Sequence, residues 1–198
     1  MTCIVGLKHK DKLYMGADSL GANTWQCYEY DAPKVFHNGP VLVGYTSSFR
    51  MGQILQHGFD PPEVDWENIE KYMAVDFSNA IRKAFKDSGW LLKEDERESG
   101  GTYLVGIGTR LFKAQDEFSF VEPSCGYIAV GSGGEVAMGS LYSTAESDLD
   151  PEQRVLMALG AAQKFTPFVR EPFVVEIQDE PTFTAQTRLI ANPSGDGE

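Results

Sequence analysis

Two short apolar runs near the start of the chain limit its fold more than any other feature. Residues 2–7 and 13–18 contain few polar side chains, and five charged or polar residues at 8–12 separate them. Two such runs joined by a short polar segment predict a β-hairpin. Strands that are apolar on both faces are typical of a sheet covered on both sides. We therefore expect this hairpin to lie in a sheet packed between other layers.

The segments that follow predict further strands and four helices. Asn38-Gly39 lies between two apolar runs, which is the signal of a second hairpin. A helix is expected to begin at Ser47 or Ser48 and to end at Gly58, because serine is a good N-cap and apolar residues follow at helical spacing. The clearest amphipathic helix spans 65–86.

The second half of the chain repeats this alternation. Two more helices are predicted, one from about 132 to 142 and one starting at Asp150-Pro151, where aspartate caps and proline suits the first turn. An exposed loop is expected at 93–101. Further strands are predicted at 102–108, 111–114, 118–121, 127–130, 172–177 and 182–187.

This order of elements predicts an α+β fold. Buried strands flanked by two pairs of helices fit a four-layer αββα sandwich, in which two stacked antiparallel sheets lie between two helical layers. The length of 198 residues fits a single domain, which we assign to 1–190. Residues 191–198 are predicted to form a flexible tail.

Composition and spacing exclude several classes of function. The net charge of −12 argues against nucleic acid as a partner, because nucleic-acid binding requires a basic surface. No apolar run approaches the roughly 18 residues that span a bilayer, and the start lacks a secretory signal, so we expect a cytoplasmic protein without membrane contact. The three cysteines and three histidines lack metal-ligand spacing, and the glycine-rich segment 131–139 fails the dinucleotide pattern. We therefore expect no metal or cofactor.

Thr2 is the first candidate for catalysis. Met1 is expected to be removed, because threonine is small enough for methionine aminopeptidase to act. A free N-terminal threonine then carries a nucleophile, its Oγ1, and a base, its α-amine, whose reference pKa is roughly 7.7–8.0. Read alone, Thr2 is more simply an ordinary strand residue. Cys3 would need a further cleavage to act and is interpreted as a small buried residue.

Asp18 and Lys34 strengthen the catalytic interpretation of Thr2. A lysine close to the α-amine would lower the pKa of that amine by like-charge repulsion and so increase the fraction of free base. Asp18 ends an apolar strand, where a carboxylate needs a partner, and Lys34 would supply one. The alternatives are a turn aspartate and a surface lysine. The two interpretations depend on each other.

Four segments of the chain together resemble one known family. They are the N-terminal threonine, the run GADS at 16–19, the run PKV at 33–35 and the run GSGG at 131–134. In this order they resemble proteasome β-subunits and the bacterial proteasome-like heat-shock peptidase, both N-terminal-nucleophile (Ntn) hydrolases. The resemblance covers residues 2–48 and 127–175 well and 57–125 loosely.

The resemblance implies the same four-layer fold and a threonine peptidase. It implies that Thr2, Asp18, Lys34 and Ser132 are catalytic and that the backbone N–H of Ser48, next to Ser47, stabilises the oxyanion. By position, the first specificity pocket would be lined by Ala32, Thr46 and Arg50, and the arginine would favour an acidic substrate side chain. The family also implies peptide or unfolded-protein substrates, a homo-oligomeric ring and an ATP-dependent unfoldase as partner.

The chain departs from the family pattern in two ways. Ser48 stands where glycine is usual, so a side chain enters the predicted oxyanion site. The late aspartate and serine that complete the family site have no counterpart in 162–170. Two alternatives therefore stay open, namely a catalytically weak or inactive structural or regulatory subunit, and an Ntn amidohydrolase that acts on a small amide.

Overall fold

A computed structural model describes residues 2–22 and 25–179 and, for 186–190, the backbone. The strands of the first half are β1 (Cys3–His9), β2 (Lys12–Ala17), β3 (Leu20–Ala22), β4 (Cys27–Glu29), β5 (Val35–Asn38) and β6 (Val41–Tyr45). Those of the second half are β7 (Leu92–Glu94), β8 (Arg97–Ser99), β9 (Tyr103–Ile107), β10 (Arg110–Ala114), β11 (Phe120–Val121), β12 (Tyr127–Gly131), β13 (Phe173–Asp179) and β14 (Gln186–Ile190).

The helices follow the predicted order. They are α1 (Phe49–His57), α2 (Ile69–Lys71), α3 (Ser78–Asp87), α4 (Gly134–Ser143) and α5 (Pro151–Phe165). A π-helical stretch, Tyr72–Phe77, joins α2 to α3. Ser48 caps α1 and Asp150 caps α5, each by accepting a backbone N–H from two residues further on, as the sequence predicts. Within the described residues, no helix has both the length and the apolar character that a membrane span requires.

Most strands belong to two five-stranded antiparallel sheets. The first sheet has the order β12-β1-β2-β13-β14, and the second has the order β11-β10-β9-β6-β5. The predicted hairpin of β1 and β2 is confirmed, with Ile4 opposite Ala17 and His9 opposite Lys12. Two short ribbons, β3-β4 and β7-β8, complete the strand pairing.

The first hairpin is buried on both faces, as expected. Cys3, Val5 and Leu7 of β1 pack in a cluster with α4 and α5. Ile4, between them in sequence, packs in a second cluster that joins β1 and β2 to strands of the other sheet, for example Leu42. This alternation follows from the period of two along a strand. It explains why both faces of the hairpin are apolar.

A third cluster joins the second sheet to α1 and to the helices between Ile69 and Asp87. It is the most aromatic of the three and includes Tyr72, Phe77, Phe85 and Tyr103. The described elements therefore form a mixed α/β structure with antiparallel sheets and helices.

The fold differs from the sequence prediction at a few segments. The predicted loop at 93–101 contains an exposed ribbon, β7-β8, whose two strands are joined by a tight turn with positive φ at Asp95 and Glu96. The predicted strand at 118–121 shortens to Phe120–Val121, since Phe118 adopts a positive φ of 67°. Part of the strand predicted at 182–187 and the tail predicted at 191–198 lie outside the described residues.

Candidate active site

Thr2, Asp18, Lys34 and Ser132 come together although 130 residues separate the first from the last. Thr2 directly precedes β1, Asp18 directly follows β2, and Lys34 directly precedes β5. Ser132 follows β12, which pairs with β1 so that Cys3 lies opposite Gly131. The ends of four strands thus meet at one point, and the strand pairing fixes their approach.

Asp18 is the centre of this cluster. Its Oδ1 accepts hydrogen bonds from Thr2 Oγ1, from the Cys3 N–H and from Lys34 Nζ, each at 3.0 Å. Its Oδ2 accepts from the Leu20 N–H at 3.1 Å. The Asp18 side chain is fully buried and that of Lys34 is 4% exposed. Four donors thus satisfy the hydrogen-bonding capacity of this buried carboxyl group without water.

Lys34 is held on two sides. Besides Asp18, its Nζ donates to the Leu20 carbonyl at 2.6 Å. Burial lowers the pKa of Lys34, because the ammonium is removed from water, and the Asp18 carboxylate opposes part of this change.

Ser132 contacts the backbone of Thr2, whereas Asp18 contacts its side chain. Its Oγ accepts from the Thr2 nitrogen at 3.1 Å and donates to the Thr2 carbonyl at 3.2 Å. The Gly133 N–H donates to the same carbonyl at 3.2 Å. Gly131 has a φ of +94°, and a Cβ there would lie 2.3 Å from the Thr2 oxygen. Only glycine allows this close approach.

Cys3 lies next to the site but is not a nucleophile. Burial, reinforced by the charge of Asp18, raises the pKa of the Cys3 thiol from 9.0 to about 12. The thiolate is the reactive form of cysteine, so this thiol stays inert near neutral pH. The sequence interpretation of Cys3 as a small buried residue fits its place in the cluster under α4 and α5.

The segment predicted to stabilise the oxyanion forms a tight turn. Ser47 has a φ of +68°, and the Ser48 N–H donates to the Thr46 carbonyl at 2.8 Å. Ser48 Oγ is used as the cap of α1, accepting from the Arg50 N–H at 3.1 Å. Thr46 Oγ1 donates to the Thr102 carbonyl at 2.7 Å. The predicted oxyanion donor is thus occupied within its own turn.

A cavity of about 290 Å³ opens beside Thr2. Thr46 and Arg50, two of the residues expected in the first specificity pocket, contribute to its wall. Ala32, the third residue predicted for this pocket, lines a separate cavity of about 410 Å³ with Ser19, Tyr30 and Pro172. The remaining walls of the cavity beside Thr2 are formed by Leu20, Gly21, Ala22, Lys34, Tyr45, Ser47, Ser48 and Phe49.

Several residues around Thr2 were not predicted. Leu20 supplies both a carbonyl to Lys34 and an N–H to Asp18, and this backbone role leaves no trace in residue type. Tyr45 and Phe49 form an aromatic edge of the cavity, with ring centroids 6.4 Å apart. Burial, helped by the charge of Asp18, raises the pKa of Tyr45 to about 12. Only the position of Tyr45, just before the helix start predicted at Ser47 or Ser48, could have indicated that it lines this cavity.

The segment that leads into β13 contacts the site but brings no carboxylate to it. The Arg170 carbonyl accepts from the Ser19 N–H at 3.1 Å, and Val169 packs against Gly133. The nearest acid in this segment is Glu171, whose Oε1 accepts from Gln163 at 3.2 Å. The aspartate and serine missing from 162–170 therefore have no replacement within that segment. Among the described residues, no three His, Cys, Asp or Glu side chains gather as metal ligands do.

Structural comparison relates the chain to three proteins. BPH from Thiobacillus denitrificans matches with a TM-score of 0.76 and 22% identity, over 89% of this chain and 97% of that one. A structure of BPH in complex with epoxomicin matches with a TM-score of 0.74 and 21% identity. Eukaryotic HslV from Trypanosoma brucei matches with a TM-score of 0.64 and 18% identity, over 89% of this chain and 99% of that one.

The third protein is Anbu from Hyphomicrobium sp. strain MC1, solved as a mutant, with a TM-score of 0.71 and 15% identity over 98% of this chain and 89% of that one. Neither a protein-family model nor a curated protein sequence matches the chain. At these identities the likeness establishes the fold. The resemblance to proteasome-like proteins expected from the sequence is confirmed at that level.

Proposed function

We propose that this protein is a threonine peptidase of the proteasome-like type, with Thr2 as its N-terminal nucleophile. The observation that carries the proposal is the buried Asp18 carboxylate, whose Oδ1 lies 3.0 Å from both Thr2 Oγ1 and Lys34 Nζ. A lone strand threonine requires no such cluster. The BPH complex with epoxomicin, whose fold this chain shares, supports the same type of site.

In this proposal, removal of Met1 leaves Thr2 with a free α-amine. The amine takes the Oγ1 proton while Oγ1 attacks the carbonyl carbon of a peptide bond. The C–N bond then breaks, the leaving amine receives the proton, and the acyl group remains as an ester on Thr2. Water, deprotonated by the same amine, hydrolyses the ester and restores Thr2. Amide bonds of peptides and unfolded proteins are the substrates.

The residues around Thr2 set the pKa of its α-amine, position its nitrogen and stabilise the oxyanion. Lys34 carries a positive charge near the α-amine and so lowers the pKa of the amine. Asp18 holds Lys34 in position, and Ser132 orients the Thr2 nitrogen through its hydrogen bond of 3.1 Å. The Ser48 N–H stabilises the oxyanion once the turn at Ser47 opens and its bond to Thr46 is released.

Substrate binding uses the cavity beside Thr2. Thr46 and Arg50 belong to its wall, and Arg50 favours an acidic side chain. Ala32 lines the separate cavity and does not belong to this wall.

Architecture and assembly complete the proposal. The three apolar clusters support a four-layer αββα arrangement in one domain, 1–190, of a cytoplasmic protein. Homo-oligomeric rings with an ATP-dependent unfoldase as partner follow from the proteasome-like resemblance.

A second candidate is a structural or regulatory subunit with little or no catalysis. The missing late carboxylate and the occupied Ser48 N–H favour it, because both weaken the proton network or the oxyanion site. An amidohydrolase that acts on a small amide is the third candidate. The cavity of about 290 Å³ is large enough for a small ligand.

The test compares the wild-type protein with Thr2→Ala and Thr2→Ser on three substrates: a peptidyl-aminocoumarin, unfolded casein and a series of small amides. We expect the wild type and the serine variant to cleave the peptide and casein, and the alanine variant to cleave neither. Activity retained by Thr2→Ala would contradict the proposal. Cleavage of small amides alone would favour the amidohydrolase, and no Thr2-dependent cleavage of any substrate would favour the inactive subunit.

A further inference from the structure

A second cavity, of about 640 Å³, adjoins the cavity beside Thr2. Thr46 is the residue that both cavities share. This second cavity is lined by Thr46, Thr102, Lys113, Ala129, Val130, Gly131, Gly134, Glu135 and Met138.

The fold forms this cavity from both sheets. On one side, Thr46 follows β6, Thr102 precedes β9 and Lys113 lies in β10, and these three neighbouring strands belong to the second sheet. On the other side, the end of β12 and the first turns of α4 contribute Gly131 and Glu135. Rigid strands and a helix therefore fix the walls.

The cavity also adjoins the nucleophile. Gly131 packs against the Thr2 carbonyl so closely that a Cβ would lie 2.3 Å from it. Thr2 itself lines the first cavity, so both cavities adjoin Thr2 and they meet at Thr46. A polypeptide that crosses Thr2 would occupy one cavity before the scissile bond and the other after it.

We propose that the second cavity binds the part of the polypeptide that leaves during acylation, and that Lys113 selects an acidic side chain there. This inference rests on the proposed peptidase function. In that reaction the C–N bond breaks and the leaving amine takes the Thr2 proton. The segment that begins with this amine must therefore lie beside Thr2 on the side away from the acyl group.

Charge determines which segment the cavity prefers. The Lys113 side chain is partly buried and forms no hydrogen bond or ion pair within the described part of the chain, although its charge helps to lower the pKa of the Glu117 carboxyl. A substrate carboxylate would give this ammonium a partner in a partly desolvated wall, where charge pairs are stronger than at the surface. Glu135 is exposed, so water screens its repulsion of the same carboxylate.

The test uses internally quenched peptides that differ only after the scissile bond. Each carries Glu, Gln or Lys at one of the first three positions, and the readout is the ratio of kcat/KM for Glu over Lys peptides. Because both rates come from one variant, a general loss of activity cancels. The variants are Lys113→Gln, Lys113→Glu and Glu135→Gln, with Lys71→Gln, an exposed helical lysine outside the cavity, as the matched control.

We expect the wild type to prefer Glu by about fivefold at one position. Lys113→Gln abolishes the preference, Lys113→Glu reverses it, Glu135→Gln increases it and Lys71→Gln leaves it unchanged. Higher salt reduces the wild-type preference, which tests the same charge without a substitution.

A wild-type ratio near one at all three positions would overturn the inference and leave the proposed function intact. A ratio in Lys113→Glu equal to that of the wild type would do the same. Cleavage that persists in Thr2→Ala, or no cleavage of any peptide, would overturn the proposed function and the inference with it.

Discussion

The Asp18–Lys34 pair provides a quantitative prediction about how the site is held. We consider Asp18→Asn, Lys34→Met and the double variant, all with Thr2 intact. In Asp18→Asn the amide oxygen can keep the donors at Oδ1, but the amide nitrogen then faces the Leu20 N–H. Lys34 also loses its counter-charge although it stays buried.

The expected cost follows from these contacts. Breaking a buried ion pair by removing one partner lowers the free energy of unfolding by about 3–5 kcal/mol. Part of this loss, about 1–3 kcal/mol, is the cost of leaving a buried donor without an acceptor. We therefore expect Asp18→Asn to lower the free energy of unfolding by about 3–5 kcal/mol. Lys34→Met should cost less, because Thr2, Cys3 and Leu20 still donate to the carboxylate. The double variant should lose about 0.5–3 kcal/mol less than the sum of the single losses.

The assay is urea unfolding at one fixed protein concentration, since assembly would also stabilise the folded state. The matched control is the exposed Lys83–Asp87 ion pair, for which Lys83→Met and Asp87→Asn should be additive. Additive losses for Asp18 and Lys34, or single losses no larger than those of the exposed pair, would refute the reasoning that this buried pair organises the site.

Three further predictions concern the surroundings of Thr2. Gly131→Ala should lower the melting temperature and the activity together, because the Cβ meets the Thr2 oxygen at a positive φ; an unchanged melting temperature would contradict this. Ser132→Ala should lower kcat with little change in stability, and Ser132→Thr should restore part of kcat, as steady-state kinetics would measure. Between pH 9.0 and about 12 the Cys3 thiol loses its proton in the unfolded protein but keeps it in the folded protein. The free energy of unfolding should therefore fall as pH rises through this range. Urea unfolding at several pH values should show a smaller fall for Cys3→Ala.

Much of the architecture follows from local sequence signals. The two-sided burial of β1 and β2 was predicted because both faces of each run are apolar, and Cys3 and Ile4 indeed enter different clusters. The cap at Asp150 was predicted from residue type and spacing. The ribbon at 92–99 was missed, because a mostly charged segment without an apolar face carries no strand signal.

The site was only partly predictable. Thr2, Asp18 and Lys34 were selected from their chemistry and order, and the strand ends bring them together. The turn at Ser47 was not foreseen, because a positive φ at serine has no sequence signature. Ala32 lies in a different cavity from Thr46, together with Tyr30 and Pro172, and this placement depends on tertiary packing that the sequence does not reveal. Backbone roles, such as those of Leu20, are independent of side-chain identity and cannot be predicted from it.

The most direct test of the central claim, that Thr2 is an N-terminal nucleophile, is the intact mass of the protein before and after treatment with a peptide epoxyketone. We predict that Met1 is absent and that one inhibitor adds per chain, with no addition to Thr2→Ala. Retention of Met1 would contradict the claim, because Thr2 would then have no free amine. An adduct of equal yield in Thr2→Ala would contradict it as well, because the inhibitor would have reacted elsewhere.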